Sequence, residues 1–272
     1  MKTSLVVSGT LLGLTLSLLA PLHAQQRVQL IPAGRPGPVL TDEAAIRGPV
    51  PRLADGKPDL TGPWVGGGSD ADIEREGGLK PGELPLLPWA QELRAKREKA
   101  IYEEPYIYCL PMSVPRVNPY PWTFAMSYTS KGLQYIYLLH EAGDAGAHRV
   151  VYMAGRKHPA DPFPTWWGHS IGRWEGDTLV IDTVGYNDTF WFDARGTPHT
   201  EKLHTIERWT RINYGTLVNE LTLEDPGAFS KPVQLKFTAR LAAPGIELME
   251  YICTENNQLG IAGGYLPNKP NK

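Results

Sequence analysis

Neither sign of charge dominates this sequence. Its 27 Lys and Arg stand against 29 Asp and Glu, a formal net charge of -2. A chain without a basic excess has no field to hold nucleic acid or anionic lipid, so neither partner is expected. Cysteine is scarce: Cys109 and Cys253 are the only two, and their separation suits no metal-binding spacing. In an oxidising compartment such an even pair reads as one disulfide, the alternative being two buried thiols. Beyond residue 24 no apolar run approaches the roughly 20 residues that a membrane span needs, so no span is expected there. Also missing are an internal repeat and a G-x-S-x-G elbow, which argues against a serine hydrolase.

The N-terminus carries the first positive signal. Met1 and Lys2 precede an apolar run over residues 5–20, diluted by Gly9, Gly13 and Ser17, and then Pro21-Leu22-His23-Ala24 meets the polar pair Gln25-Gln26. That order reads as a secretory leader over residues 1–24, cleaved after Ala24, and implies a periplasmic or secreted protein. Cleavage removes only Lys2 from the charge count and moves the net charge from -2 to -3.

Residues 25–60 are rich in Pro, Gly and Arg without a period, an extended arm that wraps the domain or stays partly disordered. Residues 61–272 then form one β domain. Within it, 66–88 reads as a Gly- and Pro-rich loop. Residues 88–103 read as the one amphipathic helix, with Trp89, Leu93 and Ala100 on a stripe beside the stem of Lys96 and with Arg94 turned away. From residue 122 onward the period becomes two. Candidate strands are 122–129, 133–141, 148–154, 178–185, 203–213, 216–224, 234–242 and 246–255, separated by turn residues such as Ser130-Lys131-Gly132 and Asn213-Tyr214-Gly215. About eight or nine strands without helical crossovers imply a mainly-β, sequentially antiparallel, up-and-down barrel. Several strands have polar residues on both faces; 203–213 alternates Thr205, Glu207 and Arg211 with His204, Arg208 and Thr210. Mixed faces suit a lumen that holds polar groups and a small organic ligand, the alternative being plain solvation.

Two resemblances attach to particular residues. Gly62-Pro63-Trp64 resembles the G-x-W start of lipocalin-like barrels, in which the Trp packs across the barrel bottom. The run from Pro164 to Thr183, PTWWGHSIGRWEGDTLVIDT, is followed by Gly185-Tyr186-Asn187-Asp188, Glu207-Arg208-Trp209-Thr210-Arg211 and Glu224-Asp225-Pro226. It resembles a family of secreted bacterial proteins of unknown activity that share PTWxGHSIGRWEGDTLVxDT, with Trp167 standing where other members often have Met. The likeness covers about the C-terminal two-thirds of the chain and brings no activity with it, so chemistry is read from the residues.

Around that run the chemistry-bearing side chains are densest. Trp166 and Trp167, in a Pro-bounded loop, are candidates for the wall of an aromatic cleft, with Trp191 in a second loop. His169 is the candidate acid–base group, with Asp188 and His199 as neighbours if both loops meet at the barrel mouth. Arg173 and Arg208 are candidates for holding an anionic group; the competing reading pairs such arginines with Glu220, Glu224 or Glu250. Glu175 and Asp177 read as turn residues facing water. Four histidines (His158, His169, His199, His204) could donate to a metal, yet none sit at i, i+2 on a strand or i, i+4 on a helix, so no metal or other cofactor is expected. Ser170 beside His169 points the other way in an extended chain, which argues against a nucleophilic serine there. The resulting expectation is a barrel that binds a small organic molecule and performs metal-independent chemistry of the isomerase, lyase or hydrolase kind. A non-catalytic carrier and a cell-envelope interaction module are the alternatives, and the oligomeric state stays open.

Overall fold

Along Val233–Leu241 every second side chain (Val233, Leu235, Phe237, Ala239) is buried, while Gln234, Lys236, Thr238 and Arg240 face out. That alternation, repeated from strand to strand, is what gives the wall an inside and an outside. The structure, a computed structural model, describes residues 38–142 and 148–254. The expected leader (1–24), the first part of the arm (25–37) and the last residue of the expected strand 246–255 lie outside the described residues. The elements run α1 (Glu43–Ile46), β1 (Trp64–Gly66), α2 (Ile73–Glu76), α3 (Pro88–Arg97), 3-10 turns at Ile101–Glu103 and Pro105–Tyr108, and β2 (Trp122–Thr129). There follow β3 (Gly132–His140), β4 (His148–Tyr152), β5 (His169–Glu175), β6 (Thr178–Val184), β7 (His204–Asn213), β8 (Thr216–Glu224) and β9 (Val233–Leu241).

The nine strands close into a barrel in chain order, with β1 pairing both β2 and β9. Tight turns join β2 to β3, β5 to β6 and β7 to β8, as the turn residues require. One junction departs from the expected antiparallel order: β4 and β5 run parallel, Val151 opposite Ser170 and Tyr152 opposite Ile171. A parallel pair needs a return crossover, and residues 153–168 supply it. Three strands differ from expectation, the first being β1, which lies ahead of all the candidate strands. Residues 169–175, read as loop and turn, form β5; its inward positions Ser170 and Gly172 are small, which hides the apolar alternation. Residues 246–254 form no strand, because both edges of β9 are already taken by β8 and β1 and the turn at Pro244-Gly245 leads the chain away.

The expected helix 88–103 stops at Arg97 and tightens into 3-10 turns before Pro105, whose ring disfavours helical backbone in the residue preceding it. Its buried face also differs. Trp89 is 40% exposed, while Ala90 and Arg94 are buried. Arg94 turns inward because Glu74 (3.0 Å), Asp72 and Asp193 await it. The arm wraps: Gly48 O accepts from Tyr214 N (2.9 Å), Ile46 O accepts from Gly215 N (3.0 Å), and Arg52 pairs with Asp177 at 2.6 Å. Cys109 and Cys253 are joined in a disulfide.

The barrel interior is filled by side chains. At one end Trp64, Trp122, Phe124 and Trp209 pack with Leu138 and Met153. Trp64 Nε1 donates to Leu60 O (2.8 Å), and the Arg211 guanidinium lies 4.9 Å over its ring. The other end is plugged by segments between β1 and β2 (Met112, Val117) and between β6 and β7 (Phe190, Phe192). A buried polar layer includes Arg149, which pairs with Glu207 at 2.5 Å and donates to Ser170 Oγ (2.8 Å) and Thr183 Oγ1 (2.6 Å). Of the polar residues noted on inner strand faces, Glu207 pairs with Arg149, Thr205 bonds to the Tyr186 hydroxyl (2.9 Å), and Arg211 donates to the carbonyls of Asp59 and Tyr214. An open aromatic mouth is replaced by a plug.

Candidate functional site

On the outer wall, strand register gathers what the linear sequence scatters. Asp182 of β6 opposes Ile206 of β7, which puts His204 in the diagonal position beside it, and His204 directly opposes Glu224 of β8. On the other side His169 opens β5 opposite Val184, again two residues from Asp182. His158 reaches the same place from the crossover 153–168. Gly168 allows the crossover to enter β5 closely: with φ +64°, a Cβ there would lie 2.7 Å from Thr183 Cγ2 and 2.8 Å from Val184 O.

The five side chains form one hydrogen-bonded line. Glu224 Oε2 lies 2.9 Å from His204 Nδ1, and His204 Nε2 lies 2.9 Å from Asp182 Oδ1. The same Asp182 oxygen lies 3.0 Å from His158 Nε2, and His158 Nδ1 lies 2.9 Å from His169 Nδ1. Carboxylates only accept, so the histidine nitrogens that face them carry the hydrogens. Both nitrogens of His204 face carboxylates and both carry hydrogen, making it an imidazolium. His158 donates from Nε2 to Asp182; in the arrangement that leaves this ring uncharged, its Nδ1 accepts from His169 Nδ1–H. His169 Nε2 then keeps a lone pair, shielded from solvent and without a hydrogen-bond partner among the described residues.

The electrostatics agree with this assignment. The bond to Asp182, with the bond to Glu224, outweighs the opposing effect of burial and leaves His204 above the ordinary histidine value. Asp182 is held below the ordinary carboxylate value, first by the His204 bond. Burial above all holds His169 below the ordinary histidine value, which favours a neutral ring near pH 7. The His169 ring stacks on Tyr152 (centroids 4.9 Å apart, 15°), and the Arg156 guanidinium sits 3.9 Å over the same Tyr152 ring.

Other expected site residues lie elsewhere. Asp188 is exposed and makes no described side-chain contact with His169 or His199. His199 is buried against Phe190 (3.9 Å) and Phe192 (4.9 Å), and burial pushes its pKa down to about 4. Trp191 is a core residue under the Arg97 guanidinium. Trp166 is half-buried against the plug, and Trp167 stacks on His140 (5.6 Å, 9°), itself buried with its pKa pushed down to about 3. Arg173 and Arg208 both pair with Glu175, at 2.7 Å each, in place of Glu220, Glu224 or Glu250, so Glu175 holds two surface arginines. Three of the four histidines weighed as metal donors do converge, through strand pairing rather than spacing.

Asp182, Glu224 and Tyr152 were not singled out as site residues. The signal available for them was polar residues at outward positions of adjacent strands. No family model, curated protein or solved structure matches the chain.

Proposed function

We propose that this chain is an exported acid–base enzyme acting on a small organic molecule, with His169 Nε2 as the proton acceptor. The observation that carries this is the line Glu224–His204–Asp182–His158–His169, which leaves one basic lone pair at its end. A proton taken from the substrate, or from a water attacking it, becomes Nε2–H, and the same proton is returned to product. The positive charge that forms is stabilised through Nδ1–H by His158, itself oriented by Asp182; such arrangements contribute about 10²–10⁴-fold in rate. Because Nε2 is shielded, the cover over it must open to admit substrate. Export is supported by the disulfide and by the leader-like N-terminus.

The side chains that fill the barrel speak against a carrier with its ligand in the lumen. The interaction-module reading draws instead on Phe163, 85% exposed in the crossover.

The test is incubation of residues 25–272 with a pool of small organic acids, esters and lactones in D₂O, followed by mass spectrometry. Deuterium incorporation or conversion that falls about 100-fold or more in His169→Gln, with binding retained, is the expected result. Neither incorporation nor conversion overturns the enzyme reading in favour of an interaction module; equal activity in His169→Gln leaves an enzyme and overturns His169 as its proton acceptor.

A further inference from the structure

Arg156 stands apart from the other arginines near the line of histidines. Arg173 and Arg208 are spent on Glu175, and Arg149 on Glu207. Arg156 is exposed, and among the described residues no carboxylate, carbonyl or hydroxyl accepts from its guanidinium, which sits 3.9 Å over the Tyr152 ring. Its five N–H donors are thus left for an outside acceptor.

The backbone holds this residue where it is by an unfavourable route. Met153 O accepts from Arg156 N (3.3 Å), closing a turn whose central residues, Ala154 (φ +59°) and Gly155 (φ +70°), are both left-handed. Glycine adopts that conformation freely, but alanine adopts it only against a steric penalty between Cβ and the carbonyl oxygen. Strain of this kind collects at functional sites. Here its effect is to turn the chain sharply after β4, so that Arg156 folds back onto the ring that His169 also contacts.

We infer that Arg156 is the anion-recognition residue of this site: the substrate bears a carboxylate or phosphate that docks bidentately on the free guanidinium edge, with its reacting proton at His169 Nε2. The inference rests on the proposed role of His169 and narrows its substrates to oxyanion-bearing molecules. Bidentate contact needs the planar fork of arginine; lysine offers only a point charge. A negative group bound there also offsets the charge of Arg156 and makes His169 more basic when substrate is present.

The experiment follows the His169 Cε1–H resonance of residues 25–272, assigned by its loss in His169→Gln. Acetate, inorganic phosphate or neutral acetamide is added at constant ionic strength. Expected are a saturable shift with acetate or phosphate, a rise of about one unit in the His169 pKa, and no response to acetamide. The tighter of the two anions identifies the oxyanion class. Binding should weaken about tenfold or more in Arg156→Ala and should not be restored by Arg156→Lys. A non-saturable response, or equal binding in Arg156→Ala, overturns the inference; full binding by Arg156→Lys overturns the bidentate contact. Deuterium exchange reads the His169 proposal separately, since anion binding without turnover would leave Arg156 a binding residue and remove the enzyme.

Discussion

His204 carries two protons because each of its ring nitrogens faces a carboxylate, Glu224 on one side and Asp182 on the other. Its folded pKa lies above the ordinary 6.5 and that of Asp182 lies below the ordinary 3.8. The contribution of His204 to stability is therefore full below pH 6.5 and lost as pH rises through its raised value. The contribution of Asp182 is full above pH 3.8 and lost as pH falls through its lowered value. His204→Gln should be less stable than the parent in the window between, and the two should converge at both ends. Urea unfolding across roughly pH 3 to 9 checks this; a deficit constant with pH would mean that His204 acts through packing alone. Both groups are partly exposed, so the deficit should be modest.

At the scale of elements, the parallel junction of β4 and β5 depends on a missing side chain. A Cβ on Gly172 would press on Met153 Sδ and lie 2.7 Å from Val151 Cγ1. Val151 lies near the end of β4 and Met153 just beyond it, so they occupy the space over β5 that a larger residue would need. Gly172→Val should lower stability by about 1–3 kcal/mol through overpacking, read as a fall in the denaturation midpoint at unchanged slope. Parent-like stability would show that Met153 moves aside without cost. The same residue explains why β5 was hard to read: a strand whose inward positions are Ser170, Gly172 and Trp174 lacks the apolar alternation that marked residues 122–129 and 234–242. Those two ranges were legible because their buried residues are apolar, and 216–224 because Leu217, Leu221 and Leu223 keep the alternation despite the buried Asn219. The short helix was legible in position but not in facing, since Arg94 is drawn inward by ionic partners from other segments.

For the whole molecule, Arg149 is the centre of the polar layer. It joins β4 to β5 through Ser170, to β6 through Thr183 and to β7 through Glu207, with almost no exposure to water. Breaking a buried pair leaves one charge uncompensated, whereas replacing both partners by apolar groups need not cost stability. Arg149→Met should cost about 3–5 kcal/mol, and Arg149→Met with Glu207→Leu should recover most of it. A double-mutant cycle in urea measures this coupling; additive losses would show that the two charges are stabilised separately. The Cys109–Cys253 bridge, 144 residues apart, closes nearly the whole barrel into one covalent loop, and in the chain-entropy model that is worth a few kcal/mol.

The sequence alone determined the mainly-β class, the positions of seven of the nine strands or their cores, the tight turns and the pairing of the only two cysteines. Each depends on local alternation, turn chemistry or simple counting. The tertiary structure decided the parallel junction, the filled lumen, the separation of Asp188 and His199 from His169, and the gathering of His158, Asp182, His204 and Glu224 around it. These depend on strand register and on a crossover that returns beside its own strand. Register is fixed by the packing of the whole barrel, and it places side chains together that lie 20 to 24 residues apart along the chain.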